Sequence, residues 1–156
     1  MSIIYKENMM DFYGFYTGKI FDAYKYLGAH VEEKGVTFRT FAPSASRITL
    51  IGDFNDWQEW EMNKVSDGNF WECYVPQAKA GQMYKYKIYD RNGNPVDHCD
   101  PYGFGMELRP SSASIIRDMS KYKFKDSQWL QSRSDCRKKP LNIYEIHFGS
   151  FRKPSD

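Results

Sequence analysis

The spacing of apolar and polar residues changes near residue 34. Before that point Ile20, Phe21, Tyr24 and Leu27 recur at i, i+1, i+4 and i+7, one apolar face of a helix. Residues 5–27 are therefore predicted helical, with Thr17 as a cap and Gly28 at the C-terminal stop. Beyond residue 34 the period falls to two. Val36, Phe38 and Phe41 lead into Ala42-Pro43, and Ile48 and Leu50 share a face within residues 46–51. Residues 70–75 read as a strand closed by Pro76, with Trp71, Cys73 and Val75 on one parity. In residues 83–89, Tyr84, Tyr86 and Ile88 face one way and Lys85 and Lys87 the other. Such alternation marks antiparallel sheet with one buried and one wet face. The turn chemistry of residues 90–95, centred on Asn92-Gly93, then predicts a hairpin.

These elements predict an all-β fold, a sandwich over residues 34–117 preceded by a short helical segment within 1–33. Residues 99–114, rich in Pro, Gly and Ser, read as an irregular crossing, and the polar stretch 118–139 as a linker. Residues 141–148 form a short, largely apolar run followed by Gly149-Ser150. That composition suits a strand of a buried parallel sheet. With no later partner before Asp156, residues 140–156 are expected to be the start of a further domain that this chain breaks off.

Composition narrows the function classes. Twenty-two basic residues against 20 acidic ones leave a net charge of +2, which argues against nucleic acid or an acidic membrane surface as partner. The run Arg137-Lys138-Lys139 is too short to change this. The 12 Tyr, 11 Phe and 4 Trp suit a strand-rich core, and they also suit a carbohydrate surface on which flat rings stack. Cys73, Cys99 and Cys136 form no metal motif and no CxxC pair, and their odd count suits reduced thiols in a cytoplasmic protein. His30 and His98 lack companions at metal-ligand spacing, so no metal and no cofactor is expected. No signal-peptide core or membrane-length apolar stretch is present.

Several stretches, in order, carry a resemblance: Leu27 to His30, Gly35 to Pro43, Gly52-Asp53-Phe54-Asn55-Asp56-Trp57, Gly81 to Ile88, Asp100 to Phe104, Met106 to Pro110 and Pro140 to Arg152. Together they resemble the amino-terminal region of the glycogen (1,4-α-glucan) branching enzymes of the α-amylase superfamily, with a family 48 carbohydrate-binding module. The resemblance implies an immunoglobulin-like β-sandwich, then a linker, then the first strand of a (β/α)8 barrel at residues 140–156. The family cuts α-1,4-glucan and rejoins the chain through an α-1,6 bond. Retention at the anomeric carbon needs two carboxylates about 5 Å apart. In this superfamily they sit on later barrel strands, so this chain is expected to hold no catalytic residue and to be inactive alone. Glu145 is read as a structural residue, and Cys73 as an inert mid-strand thiol.

The resemblance also implies sugar-binding residues. Trp57 matches a tryptophan that stacks on glucose, and Lys85 a lysine that hydrogen-bonds sugar hydroxyls. Trp60 is a further candidate on the same loop, whereas Trp71 is read as core. Glycogen-binding modules of the kinase-regulator type carry a second tryptophan after the next turn, and here Asn94-Pro95 stands in that place. The expected partners are α-glucan chains of glycogen or amylose type and the protein's own catalytic barrel. Two other readings are a free-standing glycogen-binding regulatory module and the amino-terminal module of a debranching hydrolase.

Overall fold

The computed structural model describes residues 10–120, 122–134 and 140–151. The chain divides into two compact units, one up to Met119 and one from Ser120 onward.

The first unit opens with helix α1 (Phe12–Tyr16). Asp11 caps it, its Oδ1 accepting the Gly14 N–H at 2.8 Å. Thr17 closes the helix instead of opening one: its N–H reaches Tyr13 O at 3.0 Å. Gly18 follows with φ +66, a left-handed residue that ends a helix, and the Lys19 N–H turns back to Gly14 O at 2.7 Å. A single 3₁₀ turn, Ala23–Lys25, comes next. A helical segment does precede the sandwich, but in two short pieces. The expected continuous helix from Thr17 to Leu27 is corrected because Gly18 breaks it: Ile20 and Leu27 pack in the cluster around Phe70, while Phe21 and Tyr24 stay exposed. The part of that expectation over residues 5–9 lies outside the described residues.

Among the described residues nine strands follow: β1 (Gly28–Glu32), β2 (Gly35–Phe41), β3 (Arg47–Gly52), β4 (Trp60–Glu61), β5 (Asn63–Val65), β6 (Phe70–Val75), β7 (Met83–Tyr89), β8 (Pro95–His98) and β9 (Ser114–Ile115). They build two antiparallel sheets. One has the order β1-β2-β6-β5, the other β4-β3-β7-β8, with β9 also paired to β7. This is the immunoglobulin-like sandwich expected from the alternating pattern. Gly28 is not a helix stop but the first residue of β1; at φ +102 a side chain there would meet Tyr102 O at 2.8 Å.

Val36, Phe38, Ile48, Leu50, Tyr84 and Tyr86 are wholly buried between the sheets. Trp71 joins them at 3% exposure, the core position its parity predicted. One end of the outer face of the first sheet is covered as well. Phe70 lies in edge contact with Phe12 at 4.8 Å and Phe15 at 5.4 Å between ring centroids, so α1 covers that end, while Tyr74 on the same face stays exposed.

The second unit holds α2 (Ser127–Ser132), inside the stretch read as a linker, and α3 (Phe148–Phe151). Residues 140–147, within the stretch expected as a strand over 141–148, join no ladder among the described residues. A strand of that kind takes hydrogen bonds from neighbours on both sides. Among the described residues no helix is long and apolar enough to cross a membrane.

Candidate functional site

The turn that carries Trp57 is built by three side chains pointing three ways. Phe54 goes down into the core at 8% exposure and anchors the loop. Asn55 turns sideways: its Oδ1 accepts the Gly52 N–H at 3.0 Å, and its amide donates to Gln58 O, closing the loop on itself. Trp57 goes up, 39% exposed. A 3₁₀ turn over Asp53–Asn55 is followed by two consecutive left-handed residues, Asp56 at φ 53 and Trp57 at φ 58. For non-glycine residues this costs about 1–2 kcal/mol each, and such conformations persist only where the surroundings fix them. Gly52 is needed at the hinge because a side chain there would lie 2.5 Å from Met83 O.

Asp53 supplies the fixing contacts. Its Oδ1 accepts the Trp57 indole N–H at 3.1 Å, and its Oδ2 accepts the Met83 backbone N–H at 2.7 Å. The loop is thereby tied to the start of β7, two residues before Lys85. In the register, Lys85 pairs with Ile51, the residue before the loop begins at Gly52. Trp57 and Lys85 thus belong to the same end of the second sheet.

Lys85 and Lys87 share the outer face of β7 but not their situation. Lys87 bonds Glu59 at 3.2 Å. Glu59 also pairs with Arg47 at 3.1 Å and accepts the Tyr89 hydroxyl at 2.8 Å. The Tyr89 hydroxyl, and behind it the Lys87 ammonium, hold the Glu59 carboxyl below its ordinary range. Lys85 makes no ion pair with any described residue, so its ammonium is spent on nothing else. Trp60 is separated from it. In β4 it pairs with Leu50, which pairs in turn with Tyr86, so it lies on the core-facing side at the sheet's edge, 37% exposed. Pro95 opens β8, and the turn before it is self-satisfied: the Asp90 carboxylate accepts the N–H groups of Asn92 and Asn94. No aromatic stands there.

Beneath β7 lies a polar knot that sequence reasoning missed. The Tyr84 hydroxyl donates to Asp100 Oδ2 at 2.6 Å, and that of Tyr86 at 3.1 Å. The Tyr102 N–H donates to Asp100 Oδ1 at 2.8 Å, and the Asp100 N–H donates to Ser114 Oγ at 2.8 Å. The signal available was the inward parity of two tyrosines, since buried hydroxyls need partners. The knot stiffens the strand that carries Lys85. Among the described residues no three His, Cys, Asp or Glu side chains gather as a metal site. A shallow depression of about 280 Å³, lined by Ala42, Pro43, Ala45, Ile88, Val96 and His98, includes none of Trp57, Trp60 and Lys85.

Residues 26–103 match the family described as carbohydrate-binding module 48 (isoamylase N-terminal domain). A 1,4-alpha-glucan branching enzyme of Fusobacterium nucleatum is 39% identical over 157 residues, covering 99% of this chain and 26% of that protein. One from Dechloromonas aromatica is 40% identical over 149 residues, covering 92% and 24%. The chain spans about a quarter of the length of these curated relatives. Among solved structures, the pullulanase from Bacillus acidopullulyticus superposes with a TM-score of 0.52 at 23% identity, over 66% of this chain and 13% of that one. The maltotriose complex of PulA from Klebsiella pneumoniae gives 0.52 at 24%, over 61% and 11%. At those identities the likeness is one of fold.

Proposed function

The chain belongs to the carbohydrate-binding module 48 family, and from that premise we propose that it is the accessory glucan-binding module of a 1,4-α-glucan branching enzyme. The observation that carries the enzyme assignment is the 39% identity to a branching enzyme across 99% of this chain. In that role the module holds an α-glucan chain while carboxylates elsewhere in the enzyme cut the α-1,4 bond and form the α-1,6 bond. Residues 140–156 are read, through the sequence resemblance, as the beginning of the catalytic barrel. The free thiols of Cys73 and Cys99 support a reducing, cytoplasmic setting. The debranching reading has the family's isoamylase description and the fold likeness to pullulanases behind it, against the 39% identity to a branching enzyme across 99% of this chain.

Within the module, glucan lies against Trp57 and Lys85. The Trp57 ring offers a flat apolar face to the C–H face of a glucose unit, and the unpaired Lys85 ammonium donates to hydroxyls. Each is weak alone, and the pair supplies orientation. The test is maltoheptaose affinity. Trp57→Ala is expected to weaken it about tenfold, the equivalent of ~1.4 kcal/mol. Lys85→Ala should weaken it by a smaller factor, and Trp60→Ala least, because its register puts it on the opposite side of the sheet. Unchanged affinity in both Trp57→Ala and Lys85→Ala would move the binding site elsewhere.

A further inference from the structure

We propose that Asp53 is a positioning residue that makes Trp57 a stacking platform and nothing more: it consumes the indole N–H and holds the ring and the Lys85 strand in register before ligand arrives. This rests on the reading of Trp57 as the stacking residue. The indole N–H is tryptophan's only hydrogen-bond donor. In this loop it is directed at Asp53 Oδ1, 3.1 Å away and four residues back along the chain. The left-handed backbone at Asp56 and Trp57 is what returns the side chain towards its own loop start. With the donor spent, Trp57 recognises a ligand through its ring face alone. The ligand class is therefore a pyranose chain presenting an apolar C–H face, and hydroxyl recognition falls to Lys85.

The second carboxylate oxygen adds the register. It holds the Met83 N–H at 2.7 Å, at the first residue of β7, so one side chain bridges the loop that bears the platform and the strand that bears the lysine. Fixing both before binding removes ordering cost from the binding step. Asp53 itself needs no contact with sugar.

A double-mutant cycle on maltoheptaose affinity tests this, using the full chain as wild type, Asp53→Ala, Trp57→Phe and the double variant. Asp53→Ala is expected to bind about fivefold more weakly than wild type, the scale of one lost hydrogen bond. In the Trp57→Phe background, where the ring carries no N–H, Asp53→Ala should cost distinctly less than in the wild type, keeping only the part that comes from the Met83 bond. An equal loss in both backgrounds, or no loss in either, overturns the proposal. Should Asp53→Ala fail to fold, the wild-type indole ¹⁵N–¹H signal of Trp57, assigned by its disappearance in Trp57→Phe, decides. It is expected to stay exchange-protected and unmoved at saturating maltoheptaose. A large shift on binding would mean that the N–H turns to the sugar, and overturns the proposal. If Trp57→Ala binds as wild type does, the stacking reading fails first, which separates the two failures.

Discussion

At the scale of single residues, the buried carboxylate is the most informative group. Asp100 is 3% exposed, and burial pushes its carboxyl above the usual range despite the donors from Tyr84, Tyr102 and Tyr86. A raised folded-state value means that the contribution is complete below the unfolded value, near 3.9, and is lost as pH rises through the folded one. Relative to Asp100→Asn, which does not titrate, the wild type should therefore gain stability between neutral pH and about pH 4. Urea midpoints of both proteins at the two pH values check the sign, and a narrowing gap would mean a depressed value. The exposed Asp67 and Glu59 are shifted downward, Asp67 chiefly by the Tyr16 hydroxyl, and act in the opposite sense. They are common to both proteins and cancel. Truncation to Asp100→Ala removes the acceptor of the buried Tyr84 hydroxyl and leaves that of Tyr86 only the long bond to Arg39 O, and should cost about 2–4 kcal/mol by denaturant unfolding. Cys73 offers a second residue-scale test. Burial pushes its thiol up to about 12. Iodoacetamide at pH 8 should leave Cys73 unlabelled in the native protein and label it once urea unfolds the chain, as read by peptide mass mapping.

At the scale of elements, the first sheet is covered on its inner face and, at the Phe70 end, on its outer face. Its inner face meets the core through Phe38, Trp71 and Val75, and its outer face meets α1 through Phe70. Phe70 is fully buried and touches Phe12 and Phe15 edge-on and Phe41 at a tilt. Phe70→Ala should cost about 3–5 kcal/mol, in the range of core phenylalanine truncations, because its ring is the shared contact of Phe12, Phe15 and Tyr16. Chemical denaturation measures it. The junction between β3 and the Trp57 loop gives a different outcome. A side chain on Gly52 would lie 2.5 Å from Met83 O and 2.8 Å from Phe54 Cε1. Neither a backbone oxygen in a paired strand nor a core ring can give way, so Gly52→Ala should destabilise by about 1–3 kcal/mol. It should also reduce maltoheptaose affinity, since the displaced loop carries Trp57.

At the scale of the whole molecule, every strand and both apolar clusters among the described residues lie before residue 117. The described residues of the second unit, from Ser120, contribute two short helices with no buried residue. A chain ended at Met119 should therefore unfold cooperatively, with a thermal midpoint within a few degrees of the parent chain's. Differential scanning calorimetry checks this. A loss on the order of several kcal/mol would mean that the later residues are integral to the sandwich and do not begin a separate body.

The sequence by itself determined the longer strands and the layer that each side chain joins. Tyr84 and Tyr86 against Lys85 and Lys87, and Trp71, Cys73 and Val75 in step, are decided by a period of two that each strand carries within itself. Tertiary structure alone decided what depends on a distant partner. β4 and β9 are two residues long and exist only through pairing with β3 and β7. Which way Trp60 faces follows from its pairing with Leu50, not from its own loop. The run from Ile20 to Leu27 has helical spacing, but Gly18 and the sheet beneath break it into turns. Asp53 and Asp100 read as ordinary polar residues in the sequence. Their roles come from Met83, 30 residues on, and from Tyr84, 16 residues back. Local pattern encodes which face is apolar. The partner of a buried or loop-fixing polar atom is set by how distant segments meet, and no local pattern records that.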